Sequence, residues 1–422
     1  MKDKLFVPVM LLSFLFSCTN RESETAQHNV IDIENGLQNL TRLKVSDFGK
    51  TIRYIPLETT DDGLVGNTPV IKVLRDYIVI EAQRSCLLFN KKDGSFISTI
   101  GHFGQDPEAY NSIFSWTDEK EEFLYFGRGR EQLVKYDMKG NFGGKVEFPS
   151  PPGLASFYLL TDSEIIGYFG GIGRTNKFIL GFFNPDGTLN DTIPALLPEK
   201  QLIADEVAGI SVLRGVKTYG NWAKSGVLII DYKNDDKELI VPDAARLWKS
   251  DGNIRFKEDF IDTVYTLSNR QPVSSLMSNR QLVPSIIFHT GKHHWPVQER
   301  TSKRNTNERI FIADVAENND FVFFQCIRGM YSDEPVLYNG LYHKKTGETK
   351  LGKFSDAIED DLSGFMPFVP MGISVSGEFV SMVEIGDIVE WLEKHPEAKN
   401  NEKLSFLKNL EEDSNPVVIL VE

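Results

Sequence analysis

Short apolar runs separated by glycine-containing turns recur along most of the chain. Each turn has an aromatic residue, then Asn, Asp or His, then a few residues that end in glycine. The glycines are Gly94, Gly140, Gly187, Gly291 and Gly347, at intervals of 46, 47, 104 and 56 residues. Most of these turns lie between apolar runs, as in CLLFN-KKDG-SFISTI, which indicates β-hairpins with glycine at the position that needs a positive φ.

Another pair of short strands precedes each hairpin, for example VIKVLRD and YIVIEA before the first one. Four short strands in about 47 residues are typical of a β-propeller blade. We predict blades at 70–101, 110–149, 153–194 and 308–354. The 104-residue interval holds either two blades, with DYKNDDKEL as a turn without glycine, or one blade and a long insertion.

The last blade has to combine strands from both ends of the chain. ISVSGEFVSMVE and PVVILVE lie near the C-terminus, and TIRYIPL, at 51–57, lies near the N-terminus. Pairing 51–57 with 416–421 would close the ring and remove exposed edge strands, which otherwise invite aggregation.

The first eighteen residues, MKDKLFVPVMLLSFLFSC, are typical of a secretory signal. Lys2 and Lys4 precede an apolar run at 5–16 that is too short to span a bilayer, which needs about 20 residues. Its end, LFSC, resembles the lipobox of bacterial lipoproteins, in which the thiol of Cys18 takes the lipid. The alternative is an ordinary signal peptide with a chance cysteine. We therefore predict a signal peptide at 1–17 and a lipidated tether at 18–49.

Several further segments resemble one family. YIPLETTDDGLVG, the GxxGxxPEAY pattern, IDTVYTL, DDLSGFMP and SNPVVILV are similar to segments of the six-bladed β-propeller lipoproteins common in Bacteroidetes, relatives of the NHL-type propellers. The resemblance implies an all-β, six-bladed propeller over 50–422 rather than seven blades. It also implies an insertion at about 195–260, in addition to the helical insertion at 386–413 that the local pattern indicates, and a lipid-anchored place at the outer membrane, facing the periplasm or the outside. It implies no reaction.

Two shorter segments have local interpretations. GHFGQDPEAY, at 101–110, lacks the GxGxxG and GxxxxGK[ST] patterns of phosphate-binding loops, so we predict a connector between blades. The run around Ile388, Trp391 and Leu392, followed by leucines, has helical spacing and predicts a short helical insertion whose apolar residues pack on the body.

Charge narrows the choice of partners. With 46 Lys and Arg against 60 Asp and Glu, the formal net charge is −14, which excludes nucleic acid as an expected partner. A hydrophobic content of 41% is enough for a packed core.

Arginines recur at the hairpin between the second and third strands of four predicted blades. These hairpins read EAQRS, FGRGRE, GGIGRTN and QCIRGM. The candidate ligand-binding residues are Arg84, Arg128, Arg130, Arg174 and Arg328. Guanidinium groups that converge on the channel would bind a carboxylate, sulfate or phosphate. The alternative is that exposed hairpin tips carry arginine without any ligand.

No pattern for catalysis, a cofactor or a metal is present. GxSxG, CxxC and HExxH are absent, and His293-His294 has no partner at ligand spacing. Asp235-Asp236 and Asp360-Asp361 lack calcium-loop spacing and are expected in solvated turns. Cys86 and Cys326 lie in apolar runs, which favours buried thiols over a disulfide.

These observations favour a non-catalytic envelope module that binds an anionic ligand or a partner in glycan uptake. The alternative is a lactonase-like or lyase-like propeller enzyme that uses the axial channel. Acidic and amide side chains that converge around a cation-sized gap at the channel mouth would favour the enzyme.

Overall fold

The computed structural model describes twelve ranges of the chain: 29–67, 69–82, 84–112, 114–149, 155, 157–170, 178–197, 204–213, 227–240, 246–269, 280–301 and 306–422. The signal sequence, Cys18 and Arg174 lie outside them. Within these ranges no helix has the length and apolar character needed to cross a membrane.

The N-terminal part forms β1 (Asn29–Asp32), α1 (Ile33–Gln38), a 3-10 turn (Val45–Asp47) and β2 (Ile52–Pro56). The sequence assigned 18–49 to a tether, but residues 29–49 fold onto the body. Ile31, Ile33 and Val45 are fully buried, so docking this segment removes apolar surface from water.

The described strands form seven sheets, and six of these sheets have four strands or more. Sheet I contains β3 (Val70–Val73), β4 (Tyr77–Ala82), β5 (Ser85–Asn90) and β6 (Phe96–Thr99). Sheet II contains β7 (Ser115–Thr117), β8 (Phe123–Arg128), β9 (Gln132–Asp137) and β10 (Phe142–Glu147). Sheet III contains β11 (Phe157–Leu160), β12 (Ile165–Tyr168), β13 (Phe178–Phe183) and β14 (Leu189–Pro194).

The predicted 104-residue interval holds two sheets. In the described part of the chain, the insertion sheet contains β15 (Val207–Leu213), β16 (Val227–Tyr232) and β17 (Lys237–Ile240). Sheet IV contains β18 (Leu247–Ser250), β19 (Asn253–Lys257), β20 (Thr263–Asn269) and β21 (Arg280–His289). β1 joins sheet IV as a fifth strand, parallel to β21.

The two last sheets complete the series. Sheet V contains β22 (Ile310–Glu317), β23 (Phe321–Arg328), β24 (Val336–His343) and β25 (Glu348–Lys353). Sheet VI contains β26 (Gly372–Ile373), β27 (Phe379–Val383), β28 (Val417–Val421) and β2. Apart from the β1–β21 pair, all neighbouring strands are antiparallel.

Both ends of the chain meet in sheet VI, as the sequence predicted. β2 pairs with β28 from Ile52–Val421 to Pro56–Val417. An apolar cluster that includes Leu420 and Ile71 then joins sheet VI to sheet I. Similar clusters join each other pair of consecutive numbered sheets. The sheets therefore follow one another around an axis in a propeller-like fold.

The recurring turn is confirmed at most of its positions. Gly94, Gly140, Gly187 and Gly347 have φ between 73° and 86° and lie between the third and fourth strands of their sheets. Gly291 also has a positive φ, but it follows β21 and begins a connector rather than a hairpin. The aromatic-polar-glycine pattern therefore also occurs where an outer strand ends.

The predicted helical insertion lies between β27 and β28. It consists of α2 (Ile385–Lys394) and 3-10 turns at Pro396–Asn400 and Glu402–Asn409. Ile388 and Trp391 are buried against sheets V and VI, which confirms the expected packing role.

Candidate functional site

A central cavity of about 1000 Å³ is the candidate site. The first strands of all six numbered sheets line it: β3, β7, β11, β18, β22 and β26. Its walls extend onto the turns that follow five of these strands, so the cavity reaches the end of the sheets where first and second strands connect. We call it the axial cavity, and the ring of these turns its mouth.

Carboxylates outnumber cations on the described wall of the axial cavity. The acidic residues are Asp47, Asp118, Glu119, Glu121, Asp251, Asp314, Glu317, Asp320 and Glu422. The basic residues are Lys50, Lys72, Arg75 and Lys249. Asn318, Asn319 and serines add amide and hydroxyl groups. Walls of low dielectric constant strengthen the field of such groups, so the excess of carboxylates gives the described wall a negative character.

Ion pairs fix several groups around the mouth. Lys249 Nζ of sheet IV lies 2.5 Å from Glu119 Oε1 of sheet II. This contact lowers the pKa of the Glu119 carboxyl, mainly through the hydrogen bond from Lys249. The Arg75 amide donates to Glu121 across sheets I and II. By contrast, Asp320 is exposed and takes part in no ion pair that the described residues show.

Glu317 is the most buried carboxylate of the described wall. Its side chain has no exposed surface, and Lys344 Nζ lies 2.8 Å away and Arg255 Nε 3.3 Å away. The indole of Trp248 donates to Glu317 at 2.8 Å. Because Trp248 and Arg255 belong to sheet IV while Glu317 and Lys344 belong to sheet V, this network holds two neighbouring sheets together and orients an aromatic ring at the cavity wall.

A second buried carboxylate lies near the opposite ends of the first strands. Glu81 Oε1 accepts from Lys72 Nζ at 2.6 Å and from the Ser115 amide at 2.7 Å. These contacts join sheets I and II and leave Lys72 partly exposed at the cavity. Glu81 therefore anchors Lys72, one of the two lysines that first strands present to the described wall; the other is Lys249.

The described arginines that the sequence singled out lie at the other end of the sheets and do not line the axial cavity. Arg128 donates to the backbone carbonyls of Gln105, Asp106 and Ala109. Arg84 lies over the ring of Phe103, 4.9 Å from its centre.

Arg328 lies 6.0 Å from the ring centre of Tyr338 and 3.9 Å from Glu308. Arg130 is exposed at its hairpin, and Arg174 lies outside the described residues. These contacts give three of the arginines a part in holding connectors and sheets. Their role in anion binding stays a prediction.

The segment 101–110 lies between β6 and β7 and links sheets I and II, as predicted. Asp106 accepts from the amides of Glu108 and Ala109 and contacts His102, 2.6 Å away. Tyr110 is buried and stacks on Phe126. The Arg128 guanidinium donates to three backbone carbonyls of this irregular segment, those of Gln105, Asp106 and Ala109.

Other predicted residues are placed as follows. Cys86 and Cys326 are buried free thiols, as expected, and burial raises the pKa of each. His293 and His294 lie in the connector after β21 and contact Glu308 and Asp262 respectively. Asp360 is buried, in contrast to the expected solvated turn, because its carboxylate accepts bonds from Tyr54 and several amides.

Acidic and amide side chains therefore line the axial cavity, but the described residues form no cation site there. In the described ranges, no group of three or more His, Cys, Asp or Glu side chains is placed to hold a metal ion.

The geometry defines a propeller-like protein with a polar axial cavity. The chain belongs to the family described as "Domain of unknown function (DUF4934)", which matches residues 28–422. No curated protein matches the sequence.

Solved structures with similar folds are more distant. A Bacteroides fragilis NCTC 9343 protein described as "Putative exported protein (BF0058)" has 16% sequence identity and a TM-score of 0.59, covering 93% of this chain and 99% of that one. The RRP9 WD40 repeats have 10% identity and a TM-score of 0.40, covering 90% and 99%. The β-propeller domain of Myceliophteria thermophila Cps50 (Swd1) has 10% identity and a TM-score of 0.32, covering 73% and 91%. At these identities the likeness concerns the fold alone.

Proposed function

We propose that this protein is a six-bladed propeller of the cell envelope, lipid-anchored at Cys18, that binds a polar glycan ligand in its axial cavity without catalysing a reaction. The observation that carries the proposal is the axial cavity itself, to which every numbered sheet contributes its first strand. Concave, partly polar cavities of this size are usual places for small-ligand binding.

The blade count of six has two supports. β11 contacts both β7 and β18, so sheet III is next to sheets II and IV with no blade between them. The insertion sheet packs elsewhere, since its Ile229 lies against Trp295 and Phe311 beside sheet V. A seventh blade in the ring would separate β11 from β18.

The chemistry of the wall favours sugar hydroxyls over an anionic group. Carboxylates and amide oxygens accept hydrogen bonds from hydroxyls, while Lys72, Lys249 and the amide nitrogens donate. Trp248 adds an aromatic surface of the kind that packs on apolar faces of ligands. A neutral or amino-sugar oligosaccharide would therefore match the cavity better than an acidic one.

The test uses a panel of neutral, amino-sugar and acidic oligosaccharides in calorimetric titration against the folded protein. Asn319 is exposed at the mouth, so Asn319→Trp should block entry without disturbing the core. Glu131→Trp, at an exposed hairpin on the other end of sheet II, is the matched control. We expect binding of neutral or amino sugars that Asn319→Trp abolishes and the control retains. Equal binding by both variants would contradict the proposal.

Absence of catalysis is tested with the same ligands. Bound oligosaccharides should be recovered unchanged after prolonged incubation, as mass spectrometry would show. The enzyme alternative requires turnover of a lactone or an acidic glycan. No contact among the described residues favours it.

The anchor has its own test. The apolar run at 5–16 is too short to hold the protein in a bilayer, so Cys18→Ser should move the protein to the soluble fraction. The exported description of the Bacteroides fragilis protein agrees with an envelope address. Membrane retention of the variant would contradict lipid anchoring.

A further inference from the structure

A second cavity lies at the opposite end of sheet IV from the mouth. It has a volume of about 700 Å³ and lies between the β19–β20 turn, the end of β21 and the connector at 290–298. No residue that lines it also lines the axial cavity. We call it the sheet IV pocket.

The wall of the sheet IV pocket is amphipathic. Leu196, Phe260, Ile261, Ile287 and Val297 supply apolar surface. Its polar groups include Asp262, Thr290 and His294, which lie together on the wall. A wall that combines apolar surface with a cluster of polar groups suits a small molecule with an apolar body and one polar head.

Asp262 leaves one of its two oxygens available at this polar group. Thr290 Oγ1 donates to Oδ2 at 3.2 Å, and His294 Nδ1 lies 3.0 Å from the same oxygen. No described residue hydrogen-bonds Oδ1, although the side chain is only 17% exposed. Burial raises the pKa of Asp262, opposed by the bond from His294 and by the charge of Lys257. A donor from a ligand would complete the hydrogen bonding of this carboxylate.

His294 supplies the second acceptor. Since its Nδ1 faces Asp262, the other ring nitrogen, Nε2, is the atom left for a ligand, and the ring is 57% exposed. Arg309 donates to the His294 carbonyl at 2.6 Å and fixes the backbone there. In the neutral tautomer with hydrogen on Nδ1, both Asp262 Oδ1 and His294 Nε2 accept, so the matching head must donate.

The backbone of the pocket is held in an uncommon conformation. Phe260 has a φ of 58°, in the left-handed region that non-glycine residues seldom adopt. Its ring is kept in place by Trp295 and Phe311, with ring centres 5.2 Å and 5.1 Å away. Such conformations persist where packing enforces them and occur often at ligand sites.

We propose that the sheet IV pocket binds small primary amines with an apolar body, with the ammonium group on Asp262 Oδ1 and the body against Phe260 and Ile287. An ammonium donates to Oδ1 and pairs with the carboxylate, and the apolar walls remove the body from water. This site is independent of the axial cavity, so its failure leaves the proposed function untouched.

Three probes of the same size separate the possibilities: phenethylamine, 2-phenylethanol and phenylacetate. Calorimetric titration of the intact protein at neutral pH should show binding of phenethylamine in the millimolar range or tighter, with 2-phenylethanol weaker and phenylacetate absent. Strongest binding of phenylacetate would overturn the proposal, because the site would then select anions through a protonated His294.

Two variants locate the binding. Asp262→Asn keeps the shape but removes the charge, and it should weaken phenethylamine at least about tenfold, which corresponds to ~1.4 kcal/mol. Asp106→Asn, on a carboxylate that also contacts a histidine, His102, and lines neither cavity, is the matched control and should leave affinity unchanged. Val297→Trp fills the pocket and should abolish binding of all probes. Unchanged affinity in Asp262→Asn or Val297→Trp, with circular dichroism showing folded protein, would overturn the proposal.

Discussion

Removing the buried carboxylate between sheets IV and V should destabilise the protein strongly. In Glu317→Ala, Arg255 and Lys344 lose their buried counter-ion and the Trp248 indole loses its acceptor. Glu317 is 0% exposed at its side chain, Arg255 10% and Lys344 11%. Their other carboxylate, Asp251, lies 3.8 Å from Arg255 and 2.9 Å from Lys344 but is 41% exposed, so it replaces only part of what is lost. Breaking a buried ion pair from one side costs about 3–5 kcal/mol, and we expect a loss in that range.

A matched ion pair at the mouth gives the control. Glu119 and Lys249 are 43% and 35% exposed at their side chains, so Glu119→Ala should cost at most about 1 kcal/mol. Urea unfolding followed by tryptophan fluorescence measures both variants. Replacing Glu317, Arg255 and Lys344 together by leucine should cost less than Glu317→Ala, because no unpaired charge stays buried between the sheets. Losses below 1 kcal/mol in both single variants would refute the assignment of Glu317 as the link between these sheets.

Three further predictions follow from the described contacts. Ile419→Ala in β28, where the side chain is 1% exposed, should cost about 2–5 kcal/mol in thermal or urea unfolding, and a cost below 1 kcal/mol would contradict the closure of sheet VI. Arg128→Ala should lower the free energy of unfolding by about 1.5–3 kcal/mol because its hydrogen bonds to backbone carbonyls are lost. Arg84 is exposed, so Arg84→Ala should cost about 1 kcal/mol or less. Equal losses in urea unfolding would contradict the structural role of Arg128. Burial raises the pKa of Asp262, so the bound proton stabilises the folded state below the ordinary aspartate pKa, and this stabilisation is lost as pH rises through the raised pKa. The stability of Asp262→Asn relative to the parent should therefore increase across that pH window in a pH series of urea unfolding. A constant difference in stability between the two proteins would contradict this.

Local signals in the sequence were enough to predict the repeated unit of the fold. Gly94, Gly140 and Gly187 have the positive φ that the hairpin pattern required, because that conformation is imposed by the turn alone. The pairing of 51–57 with 416–421 was also predictable, since the last blade lacked strands. β1 was not predicted because four residues, NVID, show no strand period by themselves and gain their order from β21.

The polar wall of the axial cavity was missed although a signal exists in the sequence. Asp76, Asp118, Asp162, Asp251 and Asp320 each lie in the turn after the first strand of a sheet, so an acidic ring could have been found beside the arginine series. The Glu317 network could not have been found in the sequence, because its members are far apart along the chain and meet only where two sheets pack.

Hydrogen–deuterium exchange with a bound oligosaccharide tests the central claim most directly. A ligand in the axial cavity should protect backbone amides in the mouth turns 118–122, 318–320 and 374–377. It should leave the arginine-bearing hairpins at 84–85 and 128–131 unchanged. Protection confined to those hairpins, with none at the mouth, would contradict binding in the axial cavity.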